Sequence, residues 1–286
     1  MAPSAPECRR RHRRHGGKDV AVKAWVVVIA LVLPTIAMAA NLNGIKGADD
    51  RVEVVAGQYP WSAVGRLNNG QGGHCSGMLI GPRLVVTAAH CLWNKKTRQP
   101  MPASSLRFVA GYDRGQYLAF APVEKTLIAP GWRFDLPYSA ELASKDWALL
   151  VLAEPLGEKV GWVGLGTSPN AADRLVTVGY GQDKAHIPAA HVGCRVTGKL
   201  AEGALTHDCD AVKGDSGAPV LVWRAGVPTL AAIHVATFGM GGGRFLGGAV
   251  AVADFTAEAV RLGAQSPGQS GPLARPMDGP VIDLLR

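Results

Sequence analysis

No CxxC pair, no HExxH string and no glycine-rich phosphate loop occurs in the 286 residues, so no motif for a zinc cluster, a metalloprotease or a nucleotide is on offer. Internal repeats are lacking too, and so is long helical periodicity. Charged residues are sparse at 18%, but 48% hydrophobic content supplies a sizeable core, which excludes a disordered or fibrous chain. Residues 1–23 hold +5 of the net charge of +8, and the remainder contains no basic stripe of the kind that tracks phosphates, so nucleic acid is not expected as a partner. What is abundant is glycine (36) and proline (19), set among short apolar runs, and this pattern favours many short strands joined by turns.

The lopsided charge has a local origin. A basic stretch, Arg9 to Arg14, precedes the apolar run Ala24 to Ala40, which passes through Pro34 and Ala37-Met38-Ala39. Residues 1–39 thus have the layout of a secretory signal peptide, with an uncleaved anchor as the alternative. A secreted or periplasmic protein follows, with no stable membrane association after signal cleavage. Cys8 would be removed with the signal, which leaves Cys75, Cys91, Cys194 and Cys209. Four cysteines allow three pairings, and spacing alone does not choose among them. Pairing neighbours, Cys75 with Cys91 and Cys194 with Cys209, would close short loops worth about 3 kcal/mol each.

Residues 40–51 read as a linker or pro-segment with little to bury. Apolar runs at Trp61 to Leu67, Met78 to Ile80 and Arg83 to Thr87 open a first strand-rich block, residues 52–157. A second block, residues 158–263, holds runs at Leu175 to Tyr180, Cys194 to Val196, Pro219 to Trp223, Leu230 to Ile233 and Gly248 to Val252, then a short helix over Asp254 to Leu262. An all-β fold of two packed barrels is expected, with a site in the cleft between them. Residues 264–286 read as a disordered tail.

Three strings carry chemistry. Lys213-Gly214-Asp215-Ser216-Gly217-Ala218-Pro219 places a serine in a glycine-rich turn, where the amides of Gly214 and Ser216 would face the oxygen that becomes negative during attack. Thr87-Ala88-Ala89-His90-Cys91 delivers a histidine at a strand end, beside a cysteine able to pin the corner. Asp146-Trp147-Ala148-Leu149-Leu150-Val151-Leu152 opens an apolar strand with an aspartate, which would be drawn inside and need a hydrogen-bonding partner. Asp113, the rival acid, sits in a charged, glycine-containing turn.

TAAHC, DWALLVL and GDSGAP, in the order His, Asp, Ser, resemble the trypsin-like (chymotrypsin-fold) serine peptidases over Arg51 to about Gly263. The resemblance implies two six-stranded antiparallel barrels with a C-terminal helix and a serine endopeptidase acting on protein or peptide substrates. Ser216 would be the nucleophile, His90 the general base and Asp146 the orienting carboxylate, with Gly214 and Ser216 forming the oxyanion hole. No cofactor or metal is implied, and a monomer is expected. The order is reversed relative to an α/β-hydrolase, whose GxSxG elbow is also missing. A non-catalytic binding protein on the same fold is the alternative.

The chain departs from the animal digestive enzymes: the span from Asp146 to Ser216 is short, Ile233-His234-Val235-Ala236-Thr237 replaces the tryptophan-glycine strand of the specificity pocket, and no cysteine follows Ser216. Bacterial relatives, the glutamyl endopeptidases among them, are more similar, and Cys194 and Cys209 sit where such relatives carry a disulfide. Two substrate-binding residues then compete. Asp210 occupies the position that pairs with Lys or Arg in trypsin-type enzymes, and His234 the position that contacts an acidic side chain in glutamyl endopeptidases. Asp215 also needs a cation, which in many family members is a new amino terminus; a zymogen cut after Arg51 would expose Val52.

Overall fold

A computed structural model describes residues 42–264 of the chain. The expected signal peptide and the C-terminal tail lie outside the described residues, apart from Ala264. A two-residue strand, β1 (Val52–Glu53), comes first. The first barrel then begins with β2 (Val64–Asn69), β3 (His74–Leu79) and β4 (Leu84–Thr87). A small hairpin, β5 (Trp93–Asn94) and β6 (Gln99–Pro100), interrupts it before β7 (Leu106–Ala110), β8 (Ala119–Ile128) and β9 (Ala148–Leu152). The ring β2-β3-β4-β9-β8-β7 closes on itself through antiparallel pairs. Leu84-Val85-Val86-Thr87 is buried throughout, which is why it reads as a continuous apolar run rather than an alternating one.

The second barrel comprises β10 (Leu175–Gly179), β11 (Ala189–Cys194), β12 (Val196–Lys199), β13 (Leu205–His207), β14 (Pro219–Arg224), β15 (Val227–Gly239) and β16 (Phe245–Ala251). Its sheet runs β1-β11-β10-β14-β15-β16-β13-β12. Strands β11 and β12 are two halves of one strand bent at Arg195, where Arg195 N–H donates to Asp208 Oδ1 at 2.6 Å. Counted as one, they pair with β10 at one end and β13 at the other, so this ring also closes with six strands, and β1 lies outside it. The two-barrel expectation therefore holds.

Helices α1 (Ala140–Ala143), α2 (Leu156–Val160) and α3 (Thr256–Arg261) are short. Phe255, buried just ahead of α3, meets Trp147 of the first barrel with ring centroids 6.0 Å apart.

Two expectations need correction. Trp61–Ala63 is a 3-10 turn, and the strand starts only at Val64, because Ser62 and Ala63 donate their amides to Gln58 and Pro60 carbonyls. Residues 42–51 are also expected to have little to bury, and this does not hold. Ile45 is buried, and Lys46 N–H and Asp50 N–H donate to the Asp210 carboxylate at 2.7 and 3.3 Å, which fastens the segment to the second barrel.

Candidate active site

Beyond β4 the chain tightens into the 3-10 turn Ala89–Leu92, which carries His90 and Cys91 side by side. The Cys75–Cys91 disulfide ties this corner to β3, and Cys194–Cys209 joins the second neighbouring pair. Cys75, Cys91 and His90 bring metal-ligating atom types together, but the two sulfurs are bonded to each other and leave no thiolate.

Asp146 lies just before β9 and is fully buried, as the apolar run behind it requires. A carboxylate there needs donors. It accepts His90 N–H at Oδ1 (2.9 Å), and His90 Nδ1–H (2.6 Å) and the Tyr138 hydroxyl (2.9 Å) at Oδ2. With the Nδ1 proton committed to Asp146, neutral His90 presents Nε2 as an acceptor. Ser216 Oγ stands 2.8 Å from it. The three residues that sequence reasoning picked are thus brought into one hydrogen-bonded line. Asp113 is elsewhere, paired with Arg114 in an exposed turn.

The donors for a negative oxygen are set by their own peptide planes. Lys213 O accepts from Gln182 N–H at 2.6 Å, and Asp215 O accepts from Ala218 N–H at 2.8 Å. In a trans peptide the N–H points opposite to the C=O. Each bond therefore turns the next amide, Gly214 N–H or Ser216 N–H, the other way, and neither meets an acceptor among the described residues. Both residues line the cleft. Gly214 has φ +105°, and a Cβ there would lie 2.5 Å from Tyr180 O, so glycine is required.

Tyr138 and Ser76 escaped the sequence reading. Burial first, then the charge of Asp146, holds the Tyr138 phenol well above its ordinary range, so it remains a donor. Ser76, fully buried in β3, donates its amide to Ser216 O at 2.9 Å and its hydroxyl to Gly214 O at 3.0 Å, and it accepts from Tyr180 N–H at 2.8 Å.

The two specificity candidates part company. Asp210 is 1% exposed, its carboxylate accepts the Lys46 and Asp50 amides while its own N–H donates to His191 Nδ1 at 2.8 Å, and it does not line the three pockets that hold His90 or Ser216. Its charge is spent on those partners. His234 instead lines a pocket of about 380 Å³ with Ser216, Asn43, Lys213 and Thr237. Behind it stands His207, a residue with no local signal in the sequence. Cys209 N–H donates to His207 Nδ1 at 3.2 Å, and His207 Nε2 lies 3.1 Å from His234 Nδ1. Burial first brings His207 down to about 3 and drives His234 well below its ordinary value, so each ring carries one proton. Accepting at Nδ1 forces the His207 proton onto Nε2, which donates to His234 Nδ1. The His234 proton must then sit on Nε2, which has no partner among the described residues.

A histidine bridging a buried carboxylate and a serine hydroxyl in the cleft of a double β-barrel defines the chymotrypsin-fold, serine-peptidase class. The Trypsin family model matches residues 49–257, and the chain belongs to that family. The glutamyl endopeptidase of Bacillus licheniformis is 29% identical over 188 residues, which cover 63% of this chain and 55% of that protein. The chain therefore spans about half the length of that relative. A trypsin of Simulium vittatum is 30% identical over 175 residues, covering 52% of this chain and 66% of that one. A solved Glu endopeptidase in complex with MPD aligns with a TM-score of 0.63 over 77% of this chain and 100% of its own, at 21% identity, a likeness of fold.

Proposed function

We propose that this chain is a secreted serine endopeptidase that cuts peptide bonds after acidic residues, glutamate foremost, through an acyl-enzyme on Ser216. The reading is carried by the 2.8 Å contact between His90 Nε2 and Ser216 Oγ, with the His90 Nδ1 proton held by Asp146. Ser216 Oγ attacks the scissile carbonyl while its proton passes to His90 Nε2. The oxyanion takes the free amides of Gly214 and Ser216, and Asp146 stabilises the imidazolium. His90 then gives its proton to the leaving amine. Water attacks the acyl-enzyme as His90 accepts a proton from it, and collapse returns that proton to Ser216.

The acidic preference follows from the proton order in the pocket. His234 Nε2–H is a donor aimed by His207, and Lys213 lines the same pocket, a setting that favours a carboxylate. Asp210, committed elsewhere, does not oppose it. Two disulfides suit an oxidising compartment, and no helix among the described residues is long and apolar enough to cross a membrane. Substrates are proteins or peptides, acted on by a monomer.

The test is fluorophosphonate labelling together with cleavage of a mixed peptide library. Label on Ser216, its loss in Ser216→Ala, and cuts after Glu are expected. His207→Phe should keep the label and lower kcat/KM for Glu peptides at least tenfold. A folded wild type that takes no label belongs to the binding-protein reading, and cuts after Lys or Arg would refute the pocket assignment.

A further inference from the structure

Next to the nucleophile, the Asp215 side chain is 7% exposed, and Val212 N–H at 2.8 Å is the one hydrogen bond its carboxylate has among the described residues. A buried carboxylate with so few donors calls for a cation. The cation within reach is a side chain of the leading segment. Arg51, with its side chain 3% exposed, spreads its fork over two acids: Asp49 at 2.8 and 2.9 Å, and Asp183 at 3.2 and 2.6 Å. Its Nη1 stands 3.9 Å from Asp215 Oδ2. The socket is shaped for it: a Cβ on Gly181 would lie 3.0 Å from Arg51 Nη1 and 2.7 Å from Asp183 Oδ1, so a larger residue would force both aside.

We propose that Arg51 is a positioning residue of the oxyanion hole and the internal counter-cation of Asp215, so that the machinery is assembled with the Arg51–Val52 bond uncut. The proposal rests on the reading of Ser216 as nucleophile.

Two routes run from the guanidinium to the hole. In the first, Arg51 faces Asp215, whose peptide carbonyl, bonded to Ala218 N–H, orients Ser216 N–H. In the second, Arg51 grips Asp183 in the 3-10 turn Gln182–Lys184, and Gln182 N–H takes Lys213 O, which orients Gly214 N–H. One side chain thereby holds both donors. A cut after Arg51 would release it with the segment upstream, together with the Lys46 and Asp50 amides that fasten this segment to Asp210.

The experiment reads the amino terminus and the kinetics of the full chain. Protein labelled by a fluorophosphonate is isolated and sequenced from its amino end. A labelled species that begins upstream of Arg51 is expected; label confined to chains beginning at Val52 overturns the proposal. Asp183→Asn leaves the Arg51–Val52 bond in place and removes the anchor. Its kcat on a Glu peptide ester should fall at least tenfold while KM stays within twofold and the circular-dichroism melt is kept. Arg51→Met should fall further, and Arg51→Lys, which keeps the charge but loses the fork, should recover part of the difference. Wild-type kcat in both Asp183→Asn and Arg51→Met overturns the proposal; should Arg51→Met not fold, Asp183→Asn and the terminus decide. A wild type that takes no label fails the nucleophile reading first, and this inference falls with it.

Discussion

Tyr138 reaches the same oxygen of Asp146 that His90 uses. The residue beside it on β15, Val235, offers only a backbone carbonyl, 3.4 Å from the phenol oxygen. Tyr138→Phe keeps the ring against His90 and deletes one donor to a buried carboxylate, so steady-state kinetics should show kcat/KM down about tenfold, or ~1.4 kcal/mol, with KM little changed. Asp215 gives a second test. Burial, the largest effect, outweighs the Val212 amide and the Arg51 charge, both of which favour the carboxylate, and pushes its carboxyl up to about 7 from 3.8. The folded chain thus binds more protons than the unfolded one between those values, and the pair with Arg51 is ionic only above them. Stability from this group is therefore full below about pH 4 and falls as pH rises to about 7, by at most about 1.4 kcal/mol per unit. Asp215→Asn removes that slope while keeping an acceptor for Val212 N–H. Urea titrations should show its stability relative to wild type rising from pH 4 to pH 7 and level above; the buried histidines act in both chains and cancel. His90, Asp146 and Ser216 were legible because each sits in a short string with its own turn or strand. Ser76 and His207 were not, since no such string surrounds either and their side-chain contacts to Gly214 and His234 are made only in the fold.

At the scale of elements, apolar continuity was the readable signal. Leu84 to Thr87 and Ala148 to Leu152 pair with each other inside the first barrel, and both runs stand out in the sequence. The bend at Arg195 that closes the second barrel does not, because it depends on Asp208 arriving from across a turn. Residues 42–51 misled for a related reason: their polar composition suggests solvent, whereas their amides and Arg51 are bound to acids of the second barrel. The 3-10 turn with His90 depends on its disulfide. Replacing Cys75 and Cys91 together by alanine should cost about 3 kcal/mol in a urea melt, and kcat should fall as well, since His90 loses its tether to β3.

For the whole molecule, the two strand-rich blocks and their order were legible, and the cleft between them follows from packing two closed rings. Function is divided across that cleft: His90 and Asp146 belong to the first barrel and Ser216 to the second. Ser76 of the first barrel reaches over to hold the Ser216 and Gly214 carbonyls. Turnover is consequently a gauge of docking. On warming, the halves need only slide apart by a bond length for proton transfer to stop, long before either ring melts. Fluorophosphonate uptake should thus vanish at a lower temperature than the far-ultraviolet dichroism of the strands, and cooling at that point should bring it back.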